Sequence, residues 1–193
     1  MRQEDCVKMS DNDLVRLSID NSDYYSCLIT RYEPKLLRYV TRLSKLDRDD
    51  AEDILQEVFI KTYYHLNDFK PELQFSSWIY RIAHNETISQ MRKRSIRPTV
   101  SLDSEDLKIV EDVFSMEQEI DKSFDKEKVL KVISLLDEKY KEVLTLRYLE
   151  DKNYIEISDI LKKPVSTVGN LIARGKNKFR AEYRKLLFDK DVF

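Results

Sequence analysis

Glycine is nearly absent from this chain: it occurs twice in 193 residues, against roughly 7% of positions in average proteins. Tight hairpins, phosphate-cradling loops and dinucleotide fingerprints all need backbone with positive φ or a close approach that only glycine permits. With so few glycines, and only four prolines to break helices, the sequence predicts an all-α protein. Hydrophobic residues make up 41% and charged residues 36%, enough for a core under a densely ionic surface. The length suits one ordinary domain or two small ones.

Several function classes drop out on the same residues. No apolar run approaches the ~18–20 residues of a membrane span, so no direct membrane insertion is expected. The first residues, MRQEDCVKMSDND, are polar and acidic, unlike a signal peptide. Two cysteines make no disulfide framework, so Cys6 is expected as a free thiol and Cys27 as a small buried hydrophobe. His65 and His84 are the only histidines, and no Cys/His cluster has metal-ligand spacing. No nucleophile–base pair or phosphate loop is visible. The expectation is therefore a non-enzyme with no cofactor and no metal.

Apolar periodicity places the helices. A short helix is predicted over 11–19 with Ser10 as N-cap, and a longer helical segment over 22–46. Within it Pro34 either breaks the helix or opens a second one. Residues 49–66 put Ala51, Ile54, Leu55, Val58, Thr62 and Leu66 on one face, with acids crowding the first turn. A loop at 69–72 precedes a helix over 76–96, in which Trp78 reads as core. The stretch 98–125 carries nine acids against two bases and reads as a linker, with a possible helix at 107–113. A second helical domain follows. Val129, Val132, Ile133 and Leu136 share one face; Tyr140, Val143, Leu144, Arg147 and Tyr148 share the next. Asn153 and Glu156 form a capping box for 154–161, and Ser166 is expected to cap a long final helix. The predicted architecture is two small helical domains (1–97 and 126–193) joined by an acidic linker (98–125), the second a helix–turn–helix.

Charge is segregated along this framework. Residues 47–57 carry six acids against one base, 78–97 five bases against one acid, and 162–187 eight bases against one acid. Two basic segments flanking an acidic one can meet a polyanion at two points. Residues 154–178 fit a helix–turn–helix, which sets the N-terminal side chains of its second helix against base edges. Ser166, Thr167, Asn170 and Arg174 are the outward polar residues there; asparagine pairs bidentately with adenine and arginine with guanine.

These residues resemble a family. YKEVLTLRYLED at 140–151, YIEISDIL at 154–161 and PVSTV at 164–168 are similar to region 4 of bacterial sigma factors. DAEDILQEVFIKT at 50–62 resembles region 2.2, and FSSWIYRIAHN at 75–85 with MRKR at 91–94 resembles regions 2.3 and 2.4. The two blocks cover about residues 24–96 and 126–187. Their spacing matches the small extracytoplasmic-function (ECF) type. Two positions depart from the pattern: the usual acid late in region 2.4 reads Ser89, and the basic residue often following Thr-Val in the recognition helix reads Gly169. Both bear on promoter sequence, not on class.

The resemblance implies a factor that tethers RNA polymerase to promoters and captures unpaired bases. Asp50, Asp53, Gln56 and Glu57 would dock on the basic clamp helices of the β′ subunit. The loop carrying Phe69 and Lys70, together with Asn85, would form the pocket for a flipped base of the −10 element, with Arg81, His84, Arg92 and Lys93 on phosphates. Ser166, Thr167, Asn170 and Arg174 would read the −35 element, with Lys163, Lys176 and Lys178 on phosphates. Residues 140–149 would pack on the β flap, and the acidic linker would follow the polymerase's positively charged RNA-exit path. Promoter DNA and the polymerase core are the implied partners, an anti-sigma protein a further one, and the bacterial cytoplasm the implied location. The rival reading is a free-standing regulator binding an operator through a dimeric helix–turn–helix; the 50–62 and 75–85 blocks have no place in it.

Overall fold

The computed structural model describes residues 6–44, 46–94, 131–133 and 135–188, and among these there is no strand. The chain divides into two compact units, one mainly from the first 96 residues and the other mainly from residue 97 onward. The predicted linker at 98–125, its possible helix and Val129 lie outside the described residues.

In the first unit, α1 (Asp11–Asp20) begins where the Ser10 side chain accepts from the Asp13 amide, as expected of its N-cap. A short 3-10 turn at Ser22–Tyr24 leads into α2 (Tyr25–Ser44), which runs straight through Pro34. This corrects the expectation of a break or a new helix there. An interior proline costs a helix ~3 kcal/mol. Here the stripe of Leu28, Tyr32, Leu36, Tyr39 and Val40, all at most 4% exposed, outweighs it, while Pro34 itself faces solvent.

Helix α3 (Arg48–Tyr64) starts at Asp47, whose carboxylate accepts from the Asp50 amide, and every apolar position expected inward is buried. A 3-10 turn at Leu66–Asp68 and the loop beyond it lead to α4 (Phe75–Lys93). The Phe69, Phe75 and Trp78 rings form a cluster with centroids 5.4–5.6 Å apart, and Trp78 is core. The Tyr25 hydroxyl donates to the Phe59 carbonyl at 2.6 Å, tying α2 to α3.

The cysteines differ from expectation: Cys6 and Cys27 form a disulfide. The sequence separation hid this, because it is the bonds from Arg31 and Tyr32 of α2 to Cys6, Met9 and Asp11 that bring the N-terminal segment to Cys27.

In the second unit, α5 (Glu138–Leu144) widens into a π turn at Thr145–Leu149 before α6 (Tyr154–Leu161). Asn153 and Glu156 make the full capping box. Lys162 then takes the left-handed conformation, φ 53°, that ends α6 without a glycine. The Ser158 hydroxyl closes the turn by donating to the Lys163 carbonyl at 2.6 Å. Helix α7 (Val165–Phe188) begins one residue before Ser166, with the Val168 amide donating to the Pro164 carbonyl. Ser166 is thus in the first turn and not the cap, because the first helical bond is accepted by the Pro164 carbonyl, which puts Pro164 at the capping position. Val168, Ile172, Phe179 and Tyr183 are the buried stripe of α7.

Candidate functional site

Three polar surfaces come out of this framework, one on each of α3, α4 and α7. On α3, Asp53, Gln56 and Glu57 are exposed on the side opposite the core. Asp50 is not equivalent to them: it is half-buried and accepts from Arg94, just past the end of α4, at 2.5 Å. That bond holds the Arg94 guanidinium above its usual pKa. Sequence reasoning missed the rest of the face. Ile60 (49% exposed) and Tyr64 (76%) continue it at helical spacing from Asp53 and Glu57, so the acidic end runs into an apolar one. The signal was available, since neither residue fits the inward stripe.

On α4, Arg81, Asn85 and Arg92 fall within about 40° of one another at 100° per residue, so they share a face. Asn85, Arg92 and Lys93 are exposed, Arg81 half-buried, and Lys70 stands exposed on the preceding loop. Two expected members are elsewhere. His84 is only 8% exposed, and its Nδ1 shares a hydrogen bond with the Tyr39 hydroxyl at 2.9 Å. It points inward because the helix turns it 100° from Asn85, onto the buried stripe, and it offers nothing to a phosphate. Phe69 is likewise 8% exposed and spends its ring on Phe75 and Trp78, so it supports the loop from beneath.

Beside Asn85 lies a buried carboxylate. Glu86 accepts from Lys61 of α3 and, at 2.9 Å, from the Gln90 side chain. Burial pushes this carboxyl up, and the Lys61 and Gln90 bonds more than reverse that, leaving it below its usual range. The pair fixes α3 against α4, and hence the acidic face against the Asn85 face.

On α7, Ser166, Thr167, Asn170 and Arg174 are all exposed, and Ser166, Asn170 and Arg174 fall within about 80° on one side. Asn177, unremarked in the sequence, lies on that side too and is exposed. The lysines divide differently. Lys163 is half-buried in the turn. Lys178 donates to Asp137 at 2.9 Å and lies 5.0 Å from the Tyr140 ring centroid, and Lys176 lies 5.9 Å from that of Tyr148. The Lys178 bond lowers the Asp137 carboxyl below its usual range and raises the lysine. Both ammonium groups are drawn back toward α5 and the π turn, off the Asn170 side. Among the described residues no group of three or more His, Cys, Asp or Glu could hold a metal ion, and no helix is long and apolar enough to cross a membrane.

Comparison with known proteins matches both units. The family model of sigma-70 region 2 matches residues 28–96, and that of sigma-70 region 4 matches residues 126–179. The chain is 32% identical over 175 residues to the ECF RNA polymerase sigma factor SigW of Bacillus subtilis, covering 86% of this chain and 92% of that one. It is 30% identical over 188 residues to the ECF RNA polymerase sigma-E factor of Haemophilus influenzae, covering 93% and 98%. Among solved structures, CnrH in complex with the cytosolic domain of CnrY aligns with a TM-score of 0.63 at 21% identity, over 94% of this chain and 98% of that one. The sigma factor RpoE of Bartonella quintana, in complex with the anti-sigma factor NepR, aligns with a TM-score of 0.62 at 20% identity, over 83% and 96%.

Proposed function

Since the chain belongs to the ECF-type sigma factors, a family of transcription initiation factors and not of enzymes, we propose that it brings core RNA polymerase to promoters through three separate surfaces. The acidic face of α3 docks on the basic clamp helices of β′ through Asp53, Gln56 and Glu57. Asp50 acts there through Arg94, as a brace between α3 and the end of α4. Exposed charges of this kind govern orientation and encounter rate more than final affinity.

The α4 face takes the unpaired −10 strand. Asn85 hydrogen-bonds the edge of a flipped base, and Lys70, Arg81, Arg92 and Lys93 hold the backbone around it. Unstacking a base costs a few kcal/mol and is repaid by such bonds. Helix α7 reads the −35 element with Ser166, Thr167, Asn170 and Arg174, Lys163 lies beside the backbone, and the 140–149 segment faces the β flap. Lys176 and Lys178 reach phosphates only by leaving Tyr148 and Asp137. The linker lies along the RNA-exit path, and the site of action is the cytoplasm. Because CnrH and RpoE are seen with CnrY and an anti-sigma factor, an anti-sigma protein is proposed as a partner here as well.

The observation that carries this reading is the exposed row from Ser166 to Arg174 at the start of a helix held by a capped helix–turn–helix. Its test is binding of the chain with core polymerase to promoter duplexes matched or mismatched at −35. Arg174→Ala should cost roughly 1–3 kcal/mol on the matched duplex and much less on the mismatched one. Equal losses on both make Arg174 a phosphate contact.

A further inference from the structure

Cys6 and Cys27 are bonded with their α-carbons 5.7 Å apart, 21 positions apart in the chain. A factor working on RNA polymerase, as read above, works among reducing thiols, and disulfides there are transient and redox-sensing, not structural. We infer that Cys6 and Cys27 form a reversible dithiol–disulfide site whose state sets how firmly the loop between α3 and α4 is held.

The connection can be followed bond by bond. From α2, Arg31 donates to the Asp11 carboxylate at 2.5 Å, the Cys6 carbonyl at 2.6 Å and the Met9 carbonyl at 2.9 Å. Tyr32 donates to the other Asp11 oxygen; burial raises this phenol far above its usual pKa, so it stays a donor. The start of α1 is thereby fixed on α2, one turn from the disulfide. Asn12, the next residue, donates its side-chain amide to the Pro71 carbonyl at 3.2 Å. Pro71 lies in the loop that carries Lys70 and precedes α4. The disulfide, the Arg31 clamp and the Asn12 bond therefore hold one N-terminal strap across the loop. Opening the disulfide leaves the strap on the Arg31–Asp11 ion pair, these hydrogen bonds and the burial of Leu14 and Val15 in α1, and frees the end that carries Cys6.

The two sulfurs have different access. Cys27 is 5% exposed, whereas Cys6 is half-buried at the outer end of the strap. A hydroperoxide is the oxidant the site would take. The Cys6 thiolate attacks the peroxide oxygen, the O–O bond breaks, and Cys6 becomes a sulfenic acid with loss of one water. Cys27 sulfur then attacks Cys6 sulfur, the S–O bond breaks, and the second water leaves. Two thiols and one hydrogen peroxide give one disulfide and two waters. A dithiol reductant reverses the step by attacking Cys6, the accessible sulfur.

The test uses the full chain with Cys6→Ser as the control variant and Cys27→Ala as a second. Maleimide–polyethylene glycol labelling counts free thiols after hydrogen peroxide or dithiothreitol. The inference expects none after peroxide and two after reductant in the wild-type chain, and a melting temperature about 10 °C higher for the oxidised form. Melting of a promoter by each form with core polymerase, read by permanganate, is expected to be severalfold greater for oxidised than for reduced wild type, and equal in both treatments for either variant. Two labelled thiols after peroxide overturn the site. A disulfide that forms while wild type and Cys6→Ser melt the promoter alike in both treatments overturns its control of the loop. Failure of every form, reduced wild type included, to melt any promoter counts against the functional reading, and the thiol count then still decides whether the site exists.

Discussion

Both glycines of this otherwise glycine-poor chain lie in α7, and the structure separates their reasons. Gly169 has no positive φ, and a Cβ built on it would meet only Tyr154 Cε2, at 3.8 Å, an ordinary van der Waals contact. Alanine there gains about 1 kcal/mol of helix propensity with nothing to displace. For the second unit that is about 4–8 °C in its melting temperature. At Gly175 the built Cβ stands 3.3 Å from Leu144 Cγ and Cδ1 and 3.4 Å from Tyr140 Cβ. Leu144 is 2% exposed, and Tyr140 Cβ cannot yield without its backbone. Overpacking of ~1–3 kcal/mol then cancels or exceeds the same propensity gain. Thermal denaturation of the full chain, followed by hydrogen exchange on α7, should order the proteins Gly169→Ala above wild type above Gly175→Ala. Equal stabilisation by both alanines would refute the close approach of α5 and α7. If Gly169→Ala stabilises the chain yet weakens promoter binding, the glycine is kept for the DNA and not for the fold.

Three further outcomes are expected. Asp53→Lys with Glu57→Lys should weaken capture of core polymerase at least tenfold at low salt, with a melting temperature near wild type because both residues are exposed. Asn85→Ala should leave polymerase capture intact and lower permanganate reactivity in the −10 region, while its exposure keeps the stability change within about 0.5 kcal/mol. Glu86 has a folded-state pKa below its ordinary 4.5, so its contribution is complete above that value and fades as pH falls through the folded one. Melting temperatures from pH 6 down to pH 3 should therefore drop more steeply for wild type than for Glu86→Gln.

Most of the fold was legible in the sequence, because periodicity and caps are local. The Ala51–Leu66 stripe, the Ser10 cap and the Asn153–Glu156 box all stand where the residues put them. What failed depended on energies or contacts that no local window contains. Pro34 reads as a break or as the start of a second helix until the buried stripe around it is weighed. The Cys6–Cys27 bond needs the segment before α1 docked on Arg31 and Tyr32, 20 or more positions away. At the candidate site, the direction of a side chain was legible for some residues and not for others. Asn85 and Arg174 face outward as expected, but His84 is one position from Asn85 and turns into the core against Tyr39. Lys178 is basic in the right segment, yet Asp137, 41 residues earlier, already holds it. Ile60 and Tyr64 lie off the Ala51–Leu66 stripe in the sequence itself, and the structure leaves both exposed.

The central claim is that these surfaces together turn core polymerase into a promoter-specific enzyme. Run-off transcription with purified core polymerase, the full chain and fragments of its genome, followed by mapping of start sites, tests it most directly. The account predicts discrete start sites that require the chain, share upstream elements near −10 and −35, and disappear when Asn85→Ala or Arg174→Ala replaces wild type. It is contradicted if the chain leaves the output of core polymerase unchanged while binding specific DNA tightly on its own.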